Sequence, residues 1–326
     1  MHRGLPSLFS EGAEMIASTN CDSRQYRFGF QIRDASDFPK DFPLSIPPDS
    51  WLSAIFIPGD TEALWNTPGY SPRIYILTRD ALMIYTHPAT KTEPFVAPLE
   101  QLIEVGTKKA LLYGLLELSA GGEVQGFRYN TLHQKHLSNL LRAMRAVWLP
   151  RHETGLAVLS LSTPSQGMTF RCWCALKAEL DSDEALLGVC CRPAIHPKKK
   201  GWFSGPSQDL PAVAMAVTDR RLIAVSTGVE ETDDLYGITV RCVPICNLTA
   251  VNLGDFGDAL MLSLKLKSGL EWKTLFERGQ SVSTAQYCDL LERVGPGLAT
   301  VGSQYLTVER AGLNLIDFLS YLRPMR

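Results

Sequence analysis

The sequence has no long apolar run and almost no net charge. Its longest apolar stretch, residues 110–118, is interrupted by Gly114 and Glu117 and is far too short to span a bilayer. The N-terminal segment lacks the continuous apolar core of a secretion signal, so a cytoplasmic protein is predicted. The formal net charge of −2 excludes a whole-molecule field that attracts nucleic acid or anionic membrane, so any such attraction needs a local patch.

Signatures of catalysis are missing as well. The sequence contains no nucleophile elbow, P-loop, dinucleotide-binding glycine pattern or H-E-x-x-H segment. The letters D-F-G at residues 255–257 stand without the other kinase segments, and they predict a turn between two strands. We therefore predict no catalytic residue and no cofactor, while an enzyme with an unrecognised pocket stays open as a third hypothesis.

Candidate metal ligands are too few for a metal site. His133 and His136 are spaced to share a helix face, yet the sequence offers no third ligand beside them. Cys172 and Cys174 lie in a strand-like run, where alternation predicts that both side chains pack on one face as small apolar groups. We predict no metal site and reduced cysteines throughout.

What the sequence does contain is the composition of a folded protein and an internal repeat. It has 326 residues, 45% of them apolar and 20% charged, which is enough for two or three domains with full cores. Residues 74–85 and 212–225 both read as two short strands joined at a tight turn. Thr78 corresponds to Thr218 and Leu82 to Leu222, with the same separation in both pairs.

Each repeat continues with further short strands and ends in an amphipathic helix. The spacing of the apolar positions predicts the first helix, and a similar pattern predicts the second over residues 284–294. Ser50 is a candidate helix cap before Trp51 and Leu52, and residues 110–118 are predicted to form one strand. The apolar positions of the first helix are Leu137, Leu140, Leu141, Met144 and Trp148.

Two segments of the second repeat carry a family resemblance. The strand–turn–strand Thr218–Ile223, with the letters T-D-R-R-L-I, and the downstream segment Pro244–Val251 resemble the bacterial pleckstrin-homology-like families, whose relatives include GRAM domains. The first repeat departs from this pattern, because Thr78-Arg79-Asp80 inverts the acid and the base. The resemblance implies a mainly β (α+β) chain of two tandem seven-stranded barrels, each closed by a C-terminal helix. It also implies a binding scaffold without catalytic residues.

These patterns divide the chain into five parts. They are an N-terminal extension (1–48), a first pleckstrin-homology-like domain (49–150), a linker (151–168), a second such domain (169–297) and a C-terminal amphipathic helix (298–326).

The largest difference between the repeats is the insertion at residues 196–206. Its lysines and aromatic residues, Lys198, Lys199, Lys200, Trp202 and Phe203, combine charge attraction with interfacial rings, as a membrane-touching loop requires. The alternative is a flexible, solvated loop without a ligand.

Arg220 and Arg221 are candidates for the same binding surface. The alternative, which we favour, is a turn exposed to water, with Arg221 paired to Asp219 or to the acidic run at residues 230–234.

The functional hypothesis is therefore a non-catalytic module that contacts anionic lipid or an acidic partner through this loop, at the inner face of the membrane. The second hypothesis is a protein–protein scaffold formed by the paired barrels and the terminal helix. No nucleic-acid partner is predicted, and the oligomeric state is left open.

Overall fold

The computed structural model describes Asp22 and residues 26–42, 50–60, 69–87, 93–150, 155–194, 210–229, 234–257, 259–277 and 281–295. The chain is mostly β, with 49% of it in strands, and the sheets are antiparallel. The strands are β1 (Phe30–Ile32), β2 (Trp51–Ile57), β3 (Arg73–Thr78), β4 (Ala81–Thr86), β5 (Phe95–Pro98), β6 (Leu102–Ala110), β7 (Tyr113–Ala120), β8 (Glu123–Asn130), β9 (Leu186–Arg192), β10 (Val213–Thr218), β11 (Arg221–Val229), β12 (Asp234–Pro244), β13 (Leu248–Phe256), β14 (Ala259–Leu266) and β15 (Glu271–Glu277).

Three α-helices accompany the strands in the described residues. They are α1 (Gln134–Trp148), α2 (Phe170–Glu179) and α3 (Ser281–Val294). Of the three helices predicted from apolar spacing, two are confirmed as α1 and α3, and the C-terminal amphipathic helix (298–326) lies outside the described residues. All five predicted apolar positions of α1 are buried, and the indole Nε1 of Trp148 donates to the carbonyl of Leu102 at 3.2 Å.

The internal repeat is visible in the order of the elements. Four strands (β2–β5), a short 3-10 helix, three strands (β6–β8) and α1 are followed by the same series in β9–β15 and α3. The two turns are built alike. The Thr78 hydroxyl accepts a hydrogen bond from the backbone N–H of Ala81 at 3.0 Å, and the Thr218 hydroxyl accepts one from Arg221 at 3.0 Å. Threonine is therefore kept because its side chain closes the turn.

The strands form three open sheets. Their orders are β1-β2-β3-β4-β5, then β8-β7-β6-β12-β11-β10-β9, then β13-β14-β15. The two closed barrels expected from the resemblance are not confirmed, since none of the described sheets closes on itself. Instead β6 of the first repeat pairs with β12 of the second, with Val105 opposite Cys242 and Lys109 opposite Ile238. Seven strands from both repeats thus share one ladder of backbone hydrogen bonds.

The first four strands of each repeat, β2–β5 and β9–β12, have buried residues on both faces. In β3, Tyr75 and Leu77 point into the interior with α1, whereas Ile74 and Ile76 pack against Phe42 of the N-terminal extension. Strands buried on both faces are apolar without interruption. Each such fully buried side chain contributes about 1.5–3 kcal/mol.

The second repeat uses α2 for the same purpose. Cys172 and Leu176 of α2 lie on Ala214 and Ala216 of β10, while Met215 faces the interior. Thr169 caps α2 by accepting from the backbone N–H of Cys172 at 3.2 Å.

Three local predictions are wrong. Ser50 precedes a strand, β2, and not a helix, because Trp51–Ile57 pairs along β1 and β3. Residues 110–118 are divided by a turn at Leu111, whose φ is 49°. Cys172 and Cys174 lie on the helix α2, so residues two apart fall on different faces: Cys172 is buried and Cys174 is exposed.

His133 ties the N-terminal extension to the first repeat. Its Nδ1 accepts a hydrogen bond from the backbone N–H of Gly29 at 3.1 Å, which requires an unprotonated Nδ1. Burial, and then the charge of His136, lower the pKa of His133 to about 4. In the described residues no group of three potential metal ligands forms, and His133 instead holds the extension over the sheet.

This contact predicts a loss of stability in acid. The unfolded chain binds the His133 proton near the ordinary pKa of 6.5, whereas the folded chain resists it until about pH 4. The free energy of unfolding therefore decreases as the pH falls through this window, by about 3 kcal/mol at most from this group. The variant His133→Asn, whose Oδ1 accepts the same bond, is expected to lose this part of the pH dependence in urea unfolding. Equal pH dependence in both proteins contradicts the assignment.

Candidate functional site

Arg221 is the most deeply buried charged side chain in the described residues, with 0% of its surface exposed. Its guanidinium forms a bidentate pair with Glu184, from Nε to Oε1 at 2.7 Å and from Nη2 to Oε2 at 2.6 Å. Nη2 also donates to the carbonyl of Glu179 at 2.6 Å. The Thr218 hydroxyl donates to Glu184 at 2.7 Å, so the turn residue and the ion pair support one another.

Side chains of the first repeat complete this arrangement. Arg145 of α1 binds Asp181 in the same bidentate way, from Nε at 2.9 Å and from Nη2 at 3.0 Å. Asp181 lies 3.6 Å from Arg221, and Glu179 lies 3.4 Å from Arg145. We call these five residues, Arg145, Glu179, Asp181, Glu184 and Arg221, the inter-repeat ion cluster.

The inter-repeat ion cluster is structural in character. Planar guanidinium groups match carboxylates bidentately, which a lysine cannot do. Three carboxylates face two buried arginines, and Lys109 and Arg142 approach from the edge, at 3.8 Å from Glu179 and 3.4 Å from Asp181. The charges therefore nearly cancel within the cluster.

The expectation of a water-exposed turn at Arg220 and Arg221 is wrong. Arg220 is 5% exposed, and its Nη2 donates to the Asp183 carboxylate at 2.7 Å. Arg221 pairs with Glu184 and not with Asp219, whose Oδ1 accepts from the backbone N–H of Ala185 at 3.0 Å. Both arginines of the β10–β11 turn are buried because the segment 181–184 folds over them and supplies their carboxylate partners.

The lysine-rich loop lies outside the described residues, together with Lys198, Lys199, Lys200, Trp202 and Phe203. The strands on either side of this loop are described, however. They place a charged residue that the sequence analysis missed, Arg192, at the base of the loop.

Arg192 is a buried cation with unused hydrogen-bond donors. Only 3% of it is exposed, and its Nη2 donates to the carbonyl of Pro211 at 2.5 Å. Among the described residues, its Nε and Nη1 have no hydrogen-bond partner. Burial lowers the pKa of Arg192 to about 10, against the attraction of Glu277. A desolvated cation that no carboxylate of the described residues pairs at salt-bridge distance costs several kcal/mol, so this position is unfavourable for the described fold alone.

Arg192 lies on the face of β9 that is turned towards the interior of the second repeat. It shares the face of Cys190, whose Sγ donates to Thr284 in the first turn of α3 at 3.9 Å. The start of α3 therefore lies on the same side of the sheet as the guanidinium. Helix N-termini carry a partial positive charge, which adds to that of Arg192.

The first repeat has its arginine on the neighbouring strand. Arg192 is opposite Val213 in the second repeat, and the matching pair in the first is Ile57 opposite Arg73. Arg73 lies 5.6 Å from the ring of Phe127 and 5.8 Å from that of Tyr70, and it donates to the carbonyl of Arg128 at 2.7 Å. Its charge is thus partly compensated by protein groups.

A sequence signal for Arg192 exists in retrospect. The run Leu186–Arg192 contains no charged residue before its last position. A charged residue at this point, just before a basic loop, indicates where the strand ends. Register decides which face it takes, and pairing with β10 sets that register.

Comparison with known protein families and with curated proteins finds no match for this chain. The site is therefore assigned from its own chemistry.

None of the helices in the described ranges is long and apolar enough to cross a membrane.

The inter-repeat ion cluster predicts a large stability loss when one member is removed. Arg221→Met leaves Glu184 and Asp181 buried without their partner, so the free energy of unfolding is expected to fall by about 3–5 kcal/mol. The matched control is Arg142→Ala, because Arg142 is 59% exposed at the edge of the cluster and its loss is expected to cost less than about 1 kcal/mol. Urea unfolding of both variants measures this, and equal losses contradict the structural role of Arg221.

Arg192 predicts the opposite behaviour. Arg192→Met removes a buried charge with two unused donors, so the variant is expected to be more stable by about 1 kcal/mol or more. Arg73→Met at the matching position is the control, because it discards ring contacts and a hydrogen bond and is expected to destabilise. Thermal unfolding of the two variants tests this. A lower melting temperature for Arg192→Met than for wild type would contradict the interpretation that Arg192 destabilises the fold.

Proposed function

We propose that this chain is a non-catalytic binding module that takes an anionic group at the base of the β9–β10 loop. The observation that carries the proposal is Arg192, a buried guanidinium whose Nε and Nη1 have no hydrogen-bond partner within the part of the chain that the structure describes. Groups that cost stability cluster at functional sites, where the ligand supplies the missing partner.

The proposal includes a fold assignment for each repeat. Four strands, three strands and a C-terminal helix in this order, with the threonine-closed turn, support two pleckstrin-homology-like units in tandem. Fold alone does not define function, so the anion site is argued from its residues.

The loop between β9 and β10 adds the charge that an anionic surface attracts. Lys198, Lys199 and Lys200 each contribute about 1 kcal/mol near an anionic membrane. Trp202 and Phe203 are residue types that settle at the interface between water and lipid. The ligand favoured by this combination is an anionic lipid headgroup, which places the protein peripherally at the membrane surface.

A second candidate, a protein–protein scaffold, is favoured by an exposed apolar cluster on the first repeat. Leu111, Leu112 and Leu132 are 74%, 49% and 66% exposed, and Thr131 holds them together by donating to the Leu112 carbonyl at 3.0 Å. Exposed leucines on neighbouring segments are typical of interaction surfaces.

Vesicle co-sedimentation tests the lipid proposal. Wild type is expected to bind vesicles containing phosphatidylserine and to ignore those of phosphatidylcholine alone. The triple variant Lys198→Ala/Lys199→Ala/Lys200→Ala is expected to bind about 100-fold more weakly, since three lysines contribute about 3 kcal/mol.

The control changes the same net charge elsewhere. Lys135, Lys265 and Lys267 are exposed, and their replacement by alanine is expected to leave binding within about twofold. Equal binding by wild type and the loop variant, or equal weakening by both triple variants, would overturn a loop-specific site. The variant Arg192→Met tests the contribution of the base of the loop apart from that of the lysines. It is expected to weaken vesicle binding while the protein stays folded.

A further inference from the structure

The path of α3 across β9 shows where the chain leaves the second repeat. Thr284 meets Cys190, and six residues later Leu290 packs directly on Gly188. The helix therefore runs antiparallel to β9. From Thr284 to Val294 it advances about 15 Å, and from Cys190 to Leu186 the strand covers about 13 Å. The end of α3 consequently lies beside the first residue of β9.

A surface groove opens at that same end of β9. One wall is the segment 158–162, and the other is formed by the end of α2 and residues 180–186, around a volume of about 420 Å³. The backbone N–H of Leu159 donates to the carbonyl of Leu186 at 2.7 Å, which holds the first wall on the edge of the sheet.

The groove combines apolar walls with the acidic side of the inter-repeat ion cluster. Val158 and Leu159 are 66% and 47% exposed, and Leu161 and Leu180 line the groove with them. Asp181 and Glu184 also border it, although both are engaged with arginines. Leucine and valine side chains exposed in a concave surface are covered favourably by an apolar helix face.

The sequence after Gly295 supplies such a face. Between residues 304 and 322 six apolar positions recur at helical spacing and fall on roughly one face. The intervening residues 296–303 span up to about 26 Å when extended, which is ample for a groove that begins beside the end of α3. The apolar positions are Val308, Ala311, Leu315, Phe318, Leu319 and Leu322.

We propose that the C-terminal segment 304–322 docks as an amphipathic helix in the groove between residues 158–162 and 180–186 of its own chain. The docked segment covers the exposed Val158 and Leu159 and lies beside Asp181 and Glu184, whose side chains are already buried against Arg145 and Arg221.

Hydrogen exchange measured by mass spectrometry on the full chain tests the docking. Amides of residues 158–162 and 180–186 are expected to exchange about tenfold faster, or more, in a chain ended at Gly302. The double variant Leu315→Asp/Phe318→Asp, which breaks the apolar face, is expected to have the same effect. The control Asn314→Asp/Ser320→Asp adds the same charge away from that face and is expected to exchange as wild type does.

Three results would overturn the proposal. The first is unchanged exchange of both groove segments after truncation. The second is equal acceleration by the control variant. The third is protection that rises with protein concentration, which indicates that a second copy or another partner fills the groove. The groove lies outside the interior cores of the two repeats. Each variant is therefore expected to stay folded, and thermal unfolding checks this.

Discussion

The burial of Arg221 is the constraint on which the arrangement of the two repeats depends. A guanidinium with no exposed surface needs carboxylates at hydrogen-bond distance, and Glu184 and Asp181 provide them from the segment before β9. That segment is therefore drawn over the β10–β11 turn, and its Asp181 is then available to Arg145 on α1. One buried charge thus determines how a turn, a connecting segment and a helix of the other repeat meet.

The elements that could be predicted from the sequence are those specified by residues close to one another in the chain. Thr78 and Thr218 close their turns with their own side chains, and the apolar stripe from Leu137 to Trp148 is enough to specify α1. The repeat could be read from the sequence because these features occur twice. In contrast, α2 was expected as a strand. The order of apolar and polar residues in this segment fits a short strand as well as a short helix. The segment forms a helix because Cys172 and Leu176, four residues apart, pack together on the outer face of β10.

The candidate site was only partly predictable for the same reason. The lysines of the loop are visible in the sequence, whereas the role of Arg192 depends on register with Val213 and on the position of α3. Arg220 and Arg221 looked exposed because a turn is usually exposed, and only distant carboxylates show otherwise. The two repeats share a framework, and at one matching pair of inward-facing positions each has its arginine on a different strand, Arg73 on β3 and Arg192 on β9.

The seven-stranded sheet has a consequence for how the chain is made. β6 emerges from the ribosome with one edge unpaired, and its partner β12 is synthesised more than a hundred residues later. At ordinary translation rates the edge waits for roughly ten seconds. During that interval the first repeat carries an open template for strand addition, which is a hazard for a nascent protein. The second repeat thus protects this edge of the first once β12 pairs with β6.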